Sequence, residues 1–158
     1  MQTKYNAKIL IVDDEEINLF ILEKLLKNVE AETIKASDAF EALDKTRENE
    51  FALMILDVQM PRMDGFELAR KIREMPENQF TPIIFISAIF TDPDSISKGY
   101  VTGAVDYLTK PANPSILRSK VNVFLELYNQ RKELQENISR RELVEQELRT
   151  LNETLEKR

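Results

Sequence analysis

The chain contains no cysteine. Disulfides and thiolate metal sites are therefore excluded, and the composition fits a reducing compartment. It contains no histidine either. No imidazole of this chain can ligate a metal, relay a proton or carry a phosphoryl group. No stretch approaches the roughly 20 consecutive apolar residues of a membrane span. Residues 1–6 are polar and lack the apolar core of a signal peptide. The expected location is cytoplasmic, away from any membrane. Positive charge is in deficit, with 22 Lys and Arg against 28 Asp and Glu and a net charge of −6. That balance argues against non-specific nucleic-acid binding by this chain.

What is present is a soluble globular composition, 42% hydrophobic and 32% charged, over 158 residues. That length accommodates one domain and an appendage. The chain is organised around Ala52-Leu53-Met54-Ile55-Leu56, an apolar run that ends in Asp57. An unbroken run of this kind, followed by a Pro- and Gly-containing turn, reads as a strand buried on both faces. Asp57 then sits at the carboxyl end, where open parallel sheets bind ligands. Three other runs have the same shape. Lys8-Ile9-Leu10-Ile11-Val12 ends in Asp13-Asp14, and Pro82-Ile83-Ile84-Phe85-Ile86 ends in Ser87. Ala104-Val105-Asp106-Tyr107-Leu108 ends in Thr109-Lys110-Pro111.

If these strands are parallel neighbours, their ends bring carboxylates, a hydroxyl and an ammonium together. Clustered carboxylates repel unless a cation neutralises them. Oxygen-only ligands in an open site suit Mg²⁺, with Mn²⁺ as the alternative. The metal and Lys110 can balance an incoming phosphoryl group. Asp57 can act as nucleophile, giving an aspartyl-phosphate, and Ser87 can hydrogen-bond a phosphoryl oxygen.

The segments KILIVDDE, LMILDVQMPRMDGFEL, PIIFISA and GAVDYLTKP, in this order and spacing, resemble the receiver domain of two-component response regulators. The resemblance covers about the first four-fifths of the chain. It implies a flavodoxin-like α/β fold, a doubly wound five-stranded parallel sheet of order 2-1-3-4-5. It also implies that Asp57 accepts a phosphoryl group from a histidine kinase or phosphotransfer protein. By the same resemblance Asp14 is a direct metal ligand, Asp13 acts largely through water, and the Gln59 backbone carbonyl completes the shell. Ser87 and Tyr107 are the implied switch pair, and Gln59 and Ile89 tune hydrolysis of the acyl phosphate. Ile89 is apolar and cannot orient a water, so it either shields the phosphoryl group or packs under its loop. The Lys110–Pro111 bond is expected to be cis, aiming the ammonium at Asp57. Ala112 stands where the family often has a bulkier residue.

The coarse reading places helices over residues 15–28, 38–48, 66–74 and 95–101 and an edge strand over 32–36. Ile17, Phe20, Ile21, Leu25 and Leu26 recur at helical spacing in the first. Phe40, Ala39 and Leu43 point inward in the second, which Ser37 or Asp38 caps. Phe66, Leu68, Ala69 and Ile72 line the third, which Asp64 caps. Met60 and Met63 read as packing residues. The 95–101 helix is weakly apolar and is the expected moving part, with residues 95–110 forming the face that changes.

From Pro114 onward there is no further glycine or proline, and the chain reads as one helix on the order of 65–70 Å long. Ile116, Leu117, Val121, Phe124, Leu125 and Tyr128 are its expected packing face. Residues 1–130 form the receiver and 131–158 a helical linker. The linker carries seven basic and seven acidic residues, so the −6 belongs to the receiver. Glu136/Arg140, Arg141/Glu145, Glu145/Arg149 and Glu153/Lys157 are spaced to pair along the helix. Val144, Leu148, Leu151 and Leu155 follow coiled-coil spacing, and Leu134 and Ile138 read as a seam offset by about three residues. A polar helix this long is marginal alone, so a parallel homodimer is expected. The helix also resembles those that lead to kinase or cyclase output domains, and such a domain is expected beyond residue 158. Competing readings are a phosphorylation-silent dimerisation scaffold, and a Mg²⁺-dependent phosphatase. The phosphatase wants a second acid at position 59, where Gln59 stands.

Overall fold

The structure, a computed structural model, describes residues 5–88, 97, 103 and 106–157. Five strands form one parallel sheet: β1 Lys8–Val12, β2 Glu32–Ala36, β3 Leu53–Asp57, β4 Ile83–Ser87 and β5 Asp106–Thr109. Their order is β2-β1-β3-β4-β5, as expected. Helices α1 Glu16–Leu25, α2 Ala39–Glu48 and α3 Gly65–Arg73 connect β1 through β4, with a 3₁₀ turn at Pro76–Asn78. A C-terminal helix runs unbroken over Pro114–Glu156. Ile89, the start of the last strand at 104–105, and all of the expected 95–101 helix except Ser97 lie outside the described residues.

The apolar runs are long because both faces of the sheet are covered. Alternate residues divide between two cores. Leu10, Val12, Met54, Leu56 and Phe85 pack with α2 and α3. Ile9, Ile11, Leu53, Ile55 and Ile84 pack with α1 and the C-terminal helix. In register, Leu10 lies beside Ile34 on one side and Met54 on the other, and Ile55 beside Ile84. Every residue of β3 is buried. Truncating one of its large side chains, such as Ile55→Ala, removes about 2–5 kcal/mol.

Helix starts are set by acids and one amide. Asp38 accepts a hydrogen bond from the Glu41 amide at 2.7 Å, and Glu41 reaches back to the Ser37 amide at 3.1 Å. Asp64 accepts from the Glu67 amide at 2.8 Å. Asn113 accepts from the amides of Ser115 and Ile116, with Pro114 in the first turn. Each such cap stabilises its helix by about 1 kcal/mol.

Three side-chain assignments are corrected. In α1 the buried residues are Leu19, Leu22 and then Leu26, while Ile17, Phe20 and Ile21 face solvent. Apolar residues nearly encircle this helix, so periodicity alone does not choose the buried side. Phe40 is 48% exposed rather than inward, and the Arg62 guanidinium stands 5.3 Å over its ring. Ile116 is exposed because Leu117 takes the inward position one residue later. Boundaries also shift: Asp57 and Ser87 are the last residues of their strands rather than the first residues beyond them.

The C-terminal helix packs on the sheet through Leu117, Val121, Leu125 and Tyr128. Its contacts with the globular part continue about two turns further. Lys132 pairs with Glu50 at 2.6 Å, and the Tyr5 hydroxyl donates to Glu136 at 2.5 Å. That bond, with burial and the charges of Glu136 and Glu133, pushes Tyr5 up to about 12. Of the four expected pairs along the linker, Glu136–Arg140 closes, at 2.5 Å.

Candidate functional site

The site lies at the carboxyl ends of β1, β3, β4 and β5, where the strand order reverses between β1 and β3. Asp13 follows β1 directly, and its amide donates to the Ala36 carbonyl of β2 at 3.2 Å. Its carboxylate is buried. It accepts from the Glu15 amide at 3.0 Å and the Asn18 side-chain amide at 3.3 Å. Asp14 is exposed, and Asp57 is buried at the end of β3. One carboxylate oxygen from each of Asp13, Asp14 and Asp57 lies within 4.8 Å of the other two.

Lys110 closes the cluster from the end of β5. Its Nζ is 2.6 Å from Asp13 and 3.3 Å from Asp57, so the ammonium bridges two acids rather than serving Asp57 alone. The Lys110–Pro111 peptide is cis, as expected. The Lys110 amide donates to the Ser87 carbonyl at 2.8 Å, which joins the ends of β4 and β5. Ser87 itself is fully buried. Asp13, Asp14, Asn18, Asp57, Gln59 and Lys110 line one open cleft of about 500 Å³.

The electrostatics are those of an under-neutralised acid cluster. Burial, then the neighbouring Asp13 carboxylate, push Asp57 up to about 6. Lys110 and the Gln59 amide, 3.4 Å away, pull in the opposite direction and only partly offset this. Burial pulls the Lys110 ammonium down, but its bond to Asp13 and the two nearby carboxylates outweigh burial and hold it above its ordinary value. A carboxylate that strongly disfavours its own charge is where a cation gains most. Three oxygen ligands on one open face fit a hard divalent ion that keeps part of its water shell.

The turn after β3 supports Asp57 from below. The Gly65 amide donates to the Val58 carbonyl at 2.9 Å, and the Val58 amide donates to the Ile86 carbonyl at 3.0 Å. A side chain on Gly65 would put its first carbon 2.2 Å from the Asp57 carbonyl oxygen. Met60 and Met63 are buried packing residues, as expected. One strand over from Ser87, Tyr107 packs against Phe85 at 6.0 Å between ring centres. Phe85 in turn meets Phe66 edge-on at 4.9 Å. The Tyr107 hydroxyl is buried without a hydrogen-bond partner among the described residues.

The structure thus gathers Asp13, Asp14, Asp57, Gln59 and Lys110 at one cleft, with Ser87 and Tyr107 on the adjoining strands. Sequence reading missed Asn18 and the steric role of Gly65. Asn18 carries a weak signal, a polar residue one turn past the acid pair. Gly65 was legible as a turn residue but not as a contact with Asp57.

Fold and site define a flavodoxin-like signalling domain with a cation-ready acidic cleft at its switch point. Residues 9–122 match the response regulator receiver domain family, and the chain belongs to that family. Curated relatives include the transcriptional regulatory protein YvrH of Bacillus subtilis, 38% identical over 84% of this chain and 54% of that protein. The response regulator PleD of Caulobacter vibrioides is 37% identical over 73% of this chain and 25% of its own length. This chain therefore spans about half of the first and a quarter of the second. Among solved structures, the chemotaxis protein CheY4 of Vibrio cholerae superposes with a TM-score of 0.71 at 33% identity, covering 76% of this chain and 99% of CheY4. The receiver domain of a histidine kinase from Syntrophus aciditrophicus gives 0.69 at 31% identity, covering 76% of this chain and 90% of that one. Receiver domains typically bind Mg²⁺, and the acid cluster fits one. Among the described residues no helix is long and apolar enough to cross a membrane.

Proposed function

We propose that this chain is the phosphoacceptor receiver of a cytoplasmic two-component system and relays its state through the C-terminal helix. The observation that carries the reading is the convergence of Asp13, Asp14 and Asp57 around an ammonium that touches two of them. These residues include no histidine, so the donor phospho-imidazole lies on another domain or protein, a histidine kinase or phosphotransfer module. A carboxylate oxygen of Asp57 attacks phosphorus, the P–N bond breaks, and the imidazole departs as the acyl phosphate forms. Asp14, Asp57, the Gln59 carbonyl and, largely through water, Asp13 would hold Mg²⁺, or Mn²⁺ in its place, which would supply charge neutralisation for the transferring group. Lys110 contributes a fixed positive charge, which the acyl phosphate draws away from Asp13.

Ser87 is assigned to a phosphoryl oxygen and Tyr107 to the coupled switch. The unpaired Tyr107 hydroxyl supports this, since a buried orphan hydroxyl costs about 1–3 kcal/mol and rotation to solvent relieves it. Gln59 and Ile89 are assigned to the lifetime of the acyl phosphate, and residues 95–110 to the changing face. Residues 131–158 form a dimerising linker to an output domain, and the chain itself binds neither nucleic acid nor membrane. Its only catalysis is its own phosphorylation and dephosphorylation.

Intact mass after incubation with Mg²⁺ and a small phosphodonor tests this. Gain of one acid- and base-labile phosphoryl group, absent in Asp57→Asn, is the expected result. A folded chain that gains none with several donors is a phosphorylation-silent scaffold instead.

A further inference from the structure

The exposed face of the C-terminal helix has a simple frame. Ile116, Val123, Leu127, Leu134, Val144, Leu148, Leu151 and Leu155 are each 50–60% exposed. Taking Leu134 as heptad position a, Leu127, Leu148 and Leu155 are also a, and Ile116, Val123, Val144 and Leu151 are all d. One unbroken frame therefore runs from residue 116 to 155. Leu134 is in phase with Leu148, fourteen residues or two heptads on, so the offset seam is unnecessary. Asn137, not Ile138, fills its d layer.

The opposite side of the same helix is already used. Leu117, Val121, Leu125 and Tyr128 are buried on the sheet, and Lys132 and Glu136 bind Glu50 and Tyr5. In this frame they occupy positions b, c, e and f. Among the described residues the apolar a/d positions stay half-exposed, while the receiver holds Lys120 of the strip and covers part of its e flank at Leu117. Leucine at a with Ile or Val at d otherwise favours three or four strands. A covered e flank leaves width for one partner helix. Beside the strip, Phe80 is 83% exposed and shares a shallow pocket with Phe124 and Leu127.

The flanking charges choose the partner and its direction. In a parallel pair each g residue faces the e residue five positions later on the other helix. Glu126 then meets Arg131, and Arg140 meets Glu145, both attractive; no like-charged g–e pair arises among positions 117–154. A helix complementary to itself in this way fits a second copy of this chain, in register. Lys120 falls at an a layer, where two ammonium groups would face each other. Each is bonded to Asp106 of β5, which neutralises that layer and ties it to the strand that carries Tyr107.

Building on the homodimer reading, we propose that the dimer seam begins inside the receiver at Ile116. It continues to Leu155 in one frame as a parallel two-stranded coil, with polar layers at Gln130 and Asn137 fixing register and the like-charged Arg141 layer flanked by the attractive Arg140–Glu145 pairs. The receivers are then held side by side at Val123 and Leu127 rather than hanging from a distal coil.

The absence of cysteine allows a direct test on the full chain. Single variants Val123→Cys, Val144→Cys and Gln146→Cys are oxidised mildly, and molecular mass is measured by light scattering before and after. The expected result is a dimer throughout, with cross-links at Val123→Cys and Val144→Cys and none at Gln146→Cys. A dimer that cross-links at Val144→Cys but not at Val123→Cys overturns the single frame while keeping the homodimer. A monomer in every sample overturns both, and leaves the phosphoacceptor reading to the Asp57 mass test. Arg131→Glu faces Glu126 with a like charge in both halves of the dimer, and is expected to weaken dimerisation about tenfold. Glu126→Arg added to it restores the pairing. A double variant as weak as Arg131→Glu refutes the parallel register.

Discussion

The under-neutralised carboxylate at the end of β3 has a measurable consequence for stability. Asp57 is pushed from its ordinary 3.8 to about 6, first by burial and second by Asp13. The folded chain therefore binds this proton more tightly than the unfolded chain does. Stability falls as pH rises from about 4 through about 6, and the full loss is present above that window. Tenfold tighter proton binding is worth ~1.4 kcal/mol, so the ionised Asp57 destabilises the metal-free fold by about 3 kcal/mol at pH 7.5. Its side chain is 5% exposed, so solvent screening reduces this only slightly. Asp57→Asn keeps the shape and removes the charge. In chelator at pH 7.5 it is expected to be more stable than the parent chain by up to about 3 kcal/mol, with the gain shrinking toward zero near pH 4. Urea unfolding followed by circular dichroism, at several pH values, reads the difference directly. Millimolar Mg²⁺ is expected to reverse the order, because the parent chain gains binding energy that the variant has lost a ligand for. A variant that is no more stable than the parent at pH 7.5, or whose gain is constant down to pH 4, refutes the electrostatic account.

Other perturbations probe the same site. Lys110→Met removes the main group holding Asp57 down, so the Asp57 carboxyl should titrate above 6 by carbon NMR and phosphoryl uptake should fall. Gly65→Ala drives a methyl into the Asp57 carbonyl oxygen, and should destabilise the fold by about 1–3 kcal/mol or more in thermal melts. Tyr107→Phe deletes a buried orphan hydroxyl, and should raise stability by about 1 kcal/mol while blunting any phosphorylation-dependent change in chemical shifts around position 107. Ile89→Asn should shorten the half-life of the acyl phosphate, read by loss of the mass increment over time; an unchanged half-life assigns Ile89 to packing.

What the sequence made legible follows from where two-sided burial leaves a mark. Residues such as Ile55, Phe85 and Ile11 lie in strands covered on both faces, so every position is apolar and the strand ends are abrupt. Those abrupt ends placed Asp13, Asp57 and Ser87. The caps Asp38, Asp64 and Asn113 are equally local, since each satisfies amides within three residues. What was not legible depends on rotation. Ile17, Phe20 and Phe40 are apolar and helical, yet the sheet selects Leu19 and Leu22 in the first helix and, of the three inward candidates in the second, keeps Ala39 and Leu43 but not Phe40. Nothing in a surplus of apolar residues says which of them the rest of the fold will cover. The same holds for Lys110, whose bond to Asp13 needs the separation between β1 and β5, a distance that no motif spacing encodes.

That ambiguity bears on the C-terminal helix in a particular way. Ile116 and Leu117 are adjacent and equally apolar, but one rotation step of about 100° separates them. The sheet takes Leu117, Val121, Leu125 and Tyr128, and this choice fixes the phase of everything beyond it, because the helix continues without a break to Glu156. Rotation at the receiver and rotation at Leu155 are therefore one variable. The Lys120–Asp106 ion pair ties this helix to β5. A helix interrupted by glycine after residue 130 would uncouple the two ends. Inserting two glycines between Gln130 and Arg131 should preserve phosphoryl uptake by Asp57. It should abolish any effect of that uptake on cross-linking at Val144→Cys, and an effect that survives the insertion would mean that the signal does not travel through the helix backbone.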